Sequence, residues 1–417
     1  MFSSIAGGSV NILLGVTGSI SAYKTLDLAR DLVKKGHQVK VILTKGAEKF
    51  VVPEVYRYLG ATAVYSSGDD FQYPKNENDA PVLHVDLAKW ADRFVLAPLS
   101  ANTLSRLVHG EASDLLSSVF LAIPQDKPIL VFPAMNTQML NHPFVRENFD
   151  RLEKLKSLPQ LLLHPTMSGE LACGDHGEGK LAEVKTISEM TETYSAKNNG
   201  RSILLTAGAT LSPLDSVRFL TNPSSGKTSY LLAKEALQKG YVVHVIAGKN
   251  ATNDFEHLTH HPLFSIERVT TTEEMNRAVL SKVENYDNYI TPAAISDIKF
   301  DLSEGKLKKE KMTEALAIRK DEDVLSNVLK IKKDKQKIVG FAAEAELTKE
   351  IMLDKYRRKP VDLLVGTLVN SGANGKEQKG FNVDQAEYMI LKDGIEFESY
   401  NMEKNQLASF ILERLEQ

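Results

Sequence analysis

Two segments of this chain are visibly alike, LARDLVKKGHQVKVI at residues 28–42 and LAKEALQKGYVVHVI at residues 232–246. Each combines apolar residues at helical spacing, a glycine that ends the helix, and a short apolar run typical of a buried strand. Each also follows a strand-like run that meets a glycine turn, NILLGV at 11–16 and RSILLTAGAT at 201–210. Strand, turn, helix and strand in this order build a parallel sheet with helices on both faces. The sequence therefore predicts an α/β protein with two doubly wound, Rossmann-like domains.

The length of the chain and one polar stretch predict where the two domains divide. The chain has 417 residues, which exceeds the roughly 250–300 residues at which a single hydrophobic core stops growing. The stretch TETYSAKNNG separates the repeats and offers little that could pack. We expect a first domain over residues 1–190, a linker over 191–200 and a second domain over 201–417.

The overall charge and the single cysteine limit the classes of partner and compartment. Lys and Arg number 51 against 54 Asp and Glu, a net charge of −3, so no global basic surface indicates a nucleic acid partner. One cysteine cannot form an intramolecular disulfide, which favours a reducing compartment. No apolar run approaches the roughly 18 residues of a spanning helix, and the N-terminus lacks a basic leader. We expect a cytoplasmic protein without a membrane partner.

Three predicted strands of the first domain end in small polar residues. The loop GVTGS at 15–19 follows the first strand, APLSANT at 97–103 ends a later one, and PAMN at 133–136 ends the next. Parallel sheets place ligands at the carboxyl ends of their strands, and a glycine turn before a helix can hold a phosphate. Taken alone, GVTGS is more often a tight turn needed only for packing. It lacks the third glycine of a dinucleotide-binding GxGxxG motif, which argues against a plain dinucleotide oxidoreductase.

Two further residues of this half could take part in chemistry. His84 follows a polar segment at 66–81, and Cys173 lies in the glycine-rich segment MSGELACGDHGEGK at 167–180. Both segments are predicted to be mobile loops, so Cys173 is expected to be accessible rather than buried. A structural histidine and an incidental surface thiol are the alternatives. No CxxC or HExxH spacing accompanies Cys173, which argues against a metal site there.

Five motifs of the first half, in order, resemble the flavin-containing cysteine decarboxylases: GVTGSISAYK, HVDLAKWAD, APLSANT, PAMNTQM and GELACGDHGEGKLAE. The resemblance implies a flavodoxin-like domain in which FMN acts as the electron sink while 4'-phosphopantothenoylcysteine loses CO2 and becomes 4'-phosphopantetheine. It further implies that His84 is a base or orienter, that Asn136 holds the substrate carboxylate and that Cys173 donates a proton. The residues that would lie along the flavin are Gly15, Gly18, Ser19, Ser100 and Asn102. One departure is Leu140, where the family usually has Trp.

The second half concentrates lysines in places that could hold a triphosphate. The segment KLKK at 306–309 is one, and Lys355 and Lys359 lie four residues apart on one face of a predicted helix. Such charges could clamp phosphates, or they could form a solvated face. TNPSSGKT at 221–228 ends like a Walker loop, but Thr221 stands where that motif needs glycine.

Segments of the second half, again in order, resemble the phosphopantothenate–cysteine ligases: TAGAT, LDSVRFLTNPSSGK, VTTTEEM, PAAISD, KLKK, KDEDVL, VGFAAE and KYRRKPVDLLV. The resemblance implies a nucleotide-binding domain that uses CTP and Mg2+ to convert 4'-phosphopantothenate into an acyl-cytidylate, which the cysteine amine then attacks. The implied roles are catalytic for Asn222 and Lys306, with nucleotide contacts from Asp297, Lys306, Asp323, Val324, Phe341, Lys355 and Lys359. Mg2+ would bridge phosphates and need few protein ligands. Departures at Ala209, Ser212, Glu322, Ile298 and 366–369 bear on the nucleotide preference.

The two resemblances fall in the order of the bifunctional decarboxylase–ligase family and together cover nearly the whole chain. They imply two consecutive steps of coenzyme A biosynthesis, ligation and then decarboxylation. Two alternatives remain, an FMN-binding regulatory protein without turnover and a decarboxylase of peptide C-terminal cysteines. Retention of both His84 and Cys173 speaks against the first, and the attached ligase-like half against the second. The family further implies a homo-oligomer, with trimeric decarboxylase units assembled further and dimeric ligase units.

Overall fold

The computed structural model describes residues 8–74, 81–154, 161–172, 174–195, 197–301, 305, 316–370, 379–380 and 383–416. The chain forms two compact units, Met1–Lys197 and Asn198–Gln417. Among the described residues, no helix combines the length and the apolar character needed to cross a membrane.

The first unit is built on a parallel sheet of six strands in the order β3-β2-β1-β4-β5-β6. An antiparallel hairpin, β7 and β8, lies outside this sheet. The strands are β1 (Asn11–Val16), β2 (Gln38–Leu43), β3 (Ala63–Tyr65), β4 (Arg93–Leu99), β5 (Ile129–Pro133), β6 (Leu161–Leu163), β7 (Met167–Glu170) and β8 (His176–Lys180).

Helices cover both faces of this sheet, which explains why its strands are apolar at nearly every position. Ile12 and Leu14 pack in a core with residues of α1 and α8, whereas Leu13 packs on the opposite face with residues of α3, α4 and α5. The helices are α1 (Lys24–Lys34), α2 (Pro53–Tyr58), α3 (Leu83–Trp90), α4 (Ala101–Val108), α5 (Leu115–Ala122), α6 (Thr137–Asn141), α7 (Pro143–Lys154) and α8 (Val184–Thr193).

Helix α8 extends into the stretch 191–200 that the sequence predicts to be a linker. Thr191 and Thr193 are fully buried. Their hydroxyls donate to the backbone carbonyls of Ile187 and Glu189, each over 2.7 Å. The first three residues of this stretch therefore belong to a helix, and the two compact units divide between Lys197 and Asn198, within the predicted linker.

The second unit repeats the strand order of the first and extends it. Its main sheet has the order β13-β12-β9-β14-β17-β18-β19-β20, with the first six strands parallel and the last two antiparallel. The strands are β9 (Ser202–Ala207), β10 (Leu211–Pro213), β11 (Phe219–Thr221), β12 (Val242–Gly248), β13 (Phe264–Val269), β14 (Asn288–Thr291), β15 (Ile298–Phe300), β16 (Ile318–Lys320), β17 (Lys337–Glu344), β18 (Leu363–Leu368), β19 (Gln385–Lys392) and β20 (Glu396–Glu403).

Helices again lie on both faces of the second sheet, over two separate cores. They are α9 (Lys227–Gln238), α10 (Thr272–Leu280), α11 (Val324–Ile331), α12 (Lys349–Arg358) and α13 (Lys404–Glu416). The prediction of two doubly wound α/β domains is confirmed. The antiparallel hairpin β19–β20 was not expected from the sequence, and it brings the start of α13 to the carboxyl edge of the parallel strands.

Candidate active sites

The first candidate site lies where the strand order of the first sheet reverses, between β1 and β4. The chain leaves these neighbouring strands toward opposite faces, which opens a crevice at their carboxyl ends. Thr17, which the sequence analysis did not single out, joins the two exits. Its hydroxyl donates to the carbonyl of Pro98 over 2.7 Å and accepts from the backbone N–H of Ser100 over 2.8 Å.

Four of the five residues predicted to lie along a flavin stand at this crevice. Ser19 and Ser100 follow the two strands and cap the helical turns that begin there, and Asn102 is exposed in the first turn of α4. Gly18 passes so close to a neighbouring loop that a β-carbon would lie 3.1 Å from the Cα of Gly46. Gly15 differs, because it is buried within β1 and its missing side chain makes room for core side chains.

Asn136 follows the next strand, β5, and is held by a hairpin. Its side-chain oxygen accepts from the backbone N–H of Gln138 over 2.8 Å and so caps α6. The backbone N–H of Met135 donates to the carbonyl of Gly179 over 3.0 Å. A β-carbon on Gly179 would collide with the carbonyl oxygen of Met135, so the close approach of the hairpin requires glycine.

The segment at 167–180 is therefore not the mobile loop that its composition suggests. It forms the β7–β8 hairpin, in which Gly177 and Gly179 allow close contact with residues 135–137. Cys173 itself lies outside the described residues. On either side of it, the backbone N–H of Leu171 donates to the carbonyl of Asp175 over 2.8 Å, which closes the turn between the strands.

His84 lies in the first turn of α3 and is oriented by a carboxylate. The Nδ1 atom is 2.8 and 3.0 Å from the two carboxylate oxygens of Asp70, and the backbone N–H of His84 donates to the same side chain over 3.1 Å. A carboxylate partner makes Nδ1 the donor and leaves Nε2 to exchange protons with a substrate. Asp70 lies in the segment predicted as a mobile loop, within a short 3-10 turn at Asp69–Gln72.

The second candidate site is a cavity of about 500 Å³ in the second unit. It lies beside the exit of β14, next to the point where the order of the second sheet reverses. The predicted site residues that line this single cavity are Asn222, Asp297, Asp323, Val324, Phe341, Lys355 and Lys359. Lys306, Lys308 and Lys309 of the KLKK segment lie outside the described residues.

Two of the three lysines predicted to contact the nucleotide, Lys355 and Lys359, are each paired with a carboxylate. The Nζ atom of Lys359 lies 2.7 Å from a carboxylate oxygen of Asp323, and Lys355 pairs with Glu344. Burial by itself would raise the pKa of Asp323, but the hydrogen bonds from Lys359 and from Ser326 outweigh it, so the pKa is lowered. Asp323 is accordingly a carboxylate that stays ionised, caps α11 and fixes Lys359 at the wall of the cavity.

The start of α9 forms another wall of this cavity. Residues 224–229 line it, and Gly226 precedes the helix with a φ of 73°. A β-carbon there would lie 3.0 Å from the backbone nitrogen of Gly208, so two glycine turns meet below the cavity. The first backbone N–H groups of a helix have no partner within it and favour an anion. The segment is not a Walker loop, yet it faces the cavity as a phosphate-binding loop does.

Comparison with known proteins decides the family. Residues 4–194 match the family described as "Flavoprotein", and residues 198–417 match "DNA/pantothenate metabolism flavoprotein C-terminal domain". The "Coenzyme A biosynthesis bifunctional protein CoaBC" of Bacillus subtilis (strain 168) is 34% identical over 412 residues, which cover 97% of this chain and 96% of that protein. This chain belongs to the CoaBC family.

Other relatives carry the same CoaBC description. The CoaBC protein of Escherichia coli (strain K12) is 35% identical over 399 residues, 94% of this chain and 92% of its own. As a CoaBC family member, the chain is a bifunctional enzyme of coenzyme A biosynthesis, a decarboxylase and a ligase. The expected activity is thereby confirmed, and the alternative of a flavin-binding regulatory protein without turnover is not supported.

Two solved structures each correspond to one half of the chain. A mutant "PPC decarboxylase" complexed with pantothenoylaminoethenethiol is 32% identical and covers 44% of this chain and 96% of its own, with a TM-score of 0.39. The "C-terminal Domain of Coenzyme A biosynthesis bifunctional protein CoaBC" is 27% identical and covers 52% of this chain and 95% of its own, with a TM-score of 0.41.

Proposed function

We propose that the second unit joins 4'-phosphopantothenate to cysteine at the expense of CTP, and that the first unit decarboxylates the product with FMN. The observation that carries the proposal is the convergence of seven predicted ligase residues on one cavity at the reversal point of the second sheet. The matching crevice of the first unit, with its hydroxyl groups and helix starts, supports a flavin there.

In the ligase half, the carboxylate of 4'-phosphopantothenate attacks the α-phosphate of CTP. An acyl-cytidylate forms and pyrophosphate leaves. The cysteine amine then attacks the acyl carbon, the amide forms, and CMP leaves with the bonding electron pair. Lys306, Lys355 and Lys359 stabilise the charge that develops on the phosphates. Asn222 donates to the acyl-cytidylate; its side-chain amide lies 3.3 Å from the carbonyl of Ala294, within the cavity wall.

The remaining nucleotide contacts come from the other walls of this cavity. Phe341 offers an apolar face to the base, Asp297 is a cavity carboxylate that can contact the nucleotide, and Asp323 and Val324 form the wall beside Lys359. The described residues contain no group of three or more His, Cys, Asp or Glu placed to hold a metal. We propose that Mg2+ is held chiefly by phosphate oxygens and water, as is usual for this ion.

In the decarboxylase half, the crevice between β1 and β4 fits FMN. The hydroxyl of Ser19 can donate to its phosphate, while the hydroxyl of Ser100 caps α4 and donates to Thr103 over 3.2 Å. When bound, FMN accepts the two electrons that make loss of the carboxylate possible and returns them afterwards. Asn102 is exposed at the same edge and can hydrogen-bond the cofactor.

The protein groups of this half hold the substrate and move protons. Asp70 directs the Nε2 atom of His84 toward the substrate, where it acts as the base or orienter. The helix cap uses the oxygen of the Asn136 amide, so the N–H groups are the end that can bind the substrate carboxylate. The family resemblance implies that Cys173 returns a proton at the end of the cycle.

We also propose that the protein is a homo-oligomer, with trimeric decarboxylase units and dimeric ligase units. Large apolar side chains are exposed on the first unit, including Tyr58, Phe71 and Phe144. On the second unit, Phe219 and Ile318 are exposed on its two-stranded ladders. Light scattering of the full chain tests this, and a monomer at micromolar concentration would contradict it.

The proposal is tested by separating the halves with two variants of the full chain. His84→Asn is expected to abolish decarboxylation of supplied 4'-phosphopantothenoylcysteine and to leave CTP-dependent pyrophosphate release intact. Asn222→Ala is expected to do the reverse. If each variant impaired the activity assigned to the other unit, the assignment of activities to the two halves would be wrong.

A further inference from the structure

Glu322 lines the ligase cavity, yet the function proposed above gives it no role. It immediately precedes Asp323, the cap of α11, and it is one of the positions at which the chain departs from the ligases that it resembles. Its backbone N–H donates to the side chain of Asp321 over 2.8 Å. The backbone N–H of Asp321 in turn donates to the carbonyl of Asp297, another residue of the cavity, over 2.9 Å. The backbone at Glu322 is therefore fixed beside the cavity.

The side chain of Glu322 is held by a relay of hydrogen bonds between α10 and α11. The ammonium of Lys330 donates to the side-chain oxygen of Asn327 over 3.1 Å, and the amide N–H of Asn327 donates to the oxygen of Asn276 over 3.3 Å. Asn276, which is only 9% exposed, turns its own N–H group to Glu322 and donates to one carboxylate oxygen. Because an ammonium can only donate, each amide of the relay has one orientation.

The carboxylate of Glu322 keeps capacity for a further hydrogen bond. A carboxylate accepts up to about four hydrogen bonds and donates none. Among the residues that the structure describes, Asn276 is the one donor found for this carboxylate. Glu322 is also exposed, so a ligand in the cavity can reach the remaining acceptor sites. The group that this wall accommodates is therefore a hydrogen-bond donor.

The surroundings of Glu322 favour a nucleobase over a phosphate. Ionised phosphates offer only acceptors, so a carboxylate repels them. The next residues of the wall, Val324 and Leu325, are apolar, pack on one core together with Ile295, and line the cavity as well. An apolar wall suits the face of a flat base, and a carboxylate beside it suits an amine at the edge of that base.

We propose that Glu322 selects the nucleotide by accepting a hydrogen bond from the exocyclic amine of cytosine. Uracil carries a carbonyl oxygen at the same position, which a carboxylate repels, so the site distinguishes CTP from UTP. Asn276 is a positioning residue that holds the carboxylate toward the base. The inference rests on the proposed ligase function and names the side chain that reads its nucleotide.

Glu322→Gln tests the inference by its direction. Because Asn276 donates to residue 322, the oxygen of the new amide faces Asn276 and its N–H group faces the cavity, where it matches the carbonyl of uracil. The experiment measures kcat/KM of pyrophosphate release by the full chain with CTP and with UTP. We expect the ratio of CTP to UTP to fall at least about tenfold, the usual effect of losing a hydrogen bond to a charged group, while kcat/KM for UTP rises. Glu322→Ala should lower the ratio with a smaller gain for UTP, since it adds no donor.

Glu273→Gln is the matched control, because it makes the same change on α10 at an exposed carboxylate that pairs with Arg277. It is expected to leave the ratio unchanged. An unchanged ratio in Glu322→Gln, or equal use of CTP and UTP by the wild type, would overturn the inference. An effect confined to the KM for cysteine, or to discrimination against dCTP, would also overturn it, since Glu322 would then contact the cysteine amine or the ribose. A wild-type chain that releases no pyrophosphate from any nucleotide would instead overturn the proposed function.

Discussion

Lys35 is expected to be a main support of the first unit, because it neutralises two buried carboxylates. Its Nζ atom lies 2.7 Å from Glu192 and 3.5 Å from Glu189, and both side chains are less than 10% exposed on α8. It also contacts Asp31 of its own helix over 3.2 Å. Burial by itself would lower the pKa of Lys35, but Glu192 and Glu189 outweigh it, so the pKa is raised.

Replacing Lys35 by Met keeps the apolar stem and removes the ammonium that pairs with Glu192 and Glu189. Removing one partner of a buried ion pair costs roughly 3–5 kcal/mol, and because Lys35 is itself 27% exposed we expect a loss of about 3 kcal/mol. For a unit of this size the loss corresponds to a fall of about 6–12 °C in the midpoint of thermal unfolding. The raised pKa means that this stabilisation is complete below the unfolded pKa of about 10.4 and fades only as pH rises through the folded pKa.

Tryptophan fluorescence of the full chain measures this loss selectively. Trp90 is the only tryptophan of the sequence and lies on α3 of the first unit, so its emission follows the unfolding of that unit. Lys34→Met is the control, since this neighbouring lysine is exposed and carries the same charge. A fall of less than about 3 °C in Lys35→Met, or an equal fall in the control, would refute the reasoning.

Three further predictions concern the candidate sites. Asp70→Asn should lower the rate of decarboxylation at least about tenfold, because the His84 ring is no longer held by a carboxylate. Asp69→Asn is the control. An equal loss of rate in both variants would count against the role of Asp70 in orienting His84. Gly179→Ala should abolish decarboxylation and spare pyrophosphate release, because its β-carbon meets the Met135 carbonyl; full activity would show that the hairpin need not dock so closely. The pKa of Asp323 is lowered in the folded protein. The ionised side chain therefore stabilises the fold above the unfolded-state pKa, and this contribution is lost as pH falls through the folded-state pKa. Thermal unfolding of Asp323→Asn should therefore depend less on pH below about 4 than that of the wild type, and identical profiles would contradict this.

The sequence predicts the two sheets because their signals are local. Apolar strands, glycine turns and amphipathic helices recur within some 40 residues of each other in both halves, and such periodicity does not depend on distant contacts. The grouping of the ligase residues also follows, since parallel strands deliver their carboxyl ends to one edge.

Features that depend on distant contacts could not be predicted. The glycines at 177 and 179 are needed for the approach to residues 135–137, yet in sequence they resemble a flexible loop. Asp70 carries no signal of its own, because its role comes from a histidine that lies fourteen residues further along. Lys404 and Tyr388 reach the ligase cavity through an antiparallel hairpin that the strand periodicity does not reveal.

The most direct test of two consecutive activities in one chain is a single reaction with the purified full-length protein. Its visible spectrum is recorded, 4'-phosphopantothenate, cysteine, CTP and Mg2+ are supplied, and the products are followed by mass. We predict a yellow protein that releases one pyrophosphate for each 4'-phosphopantetheine formed. Accumulation of 4'-phosphopantothenoylcysteine by a flavin-loaded protein, or absence of pyrophosphate, would contradict the account.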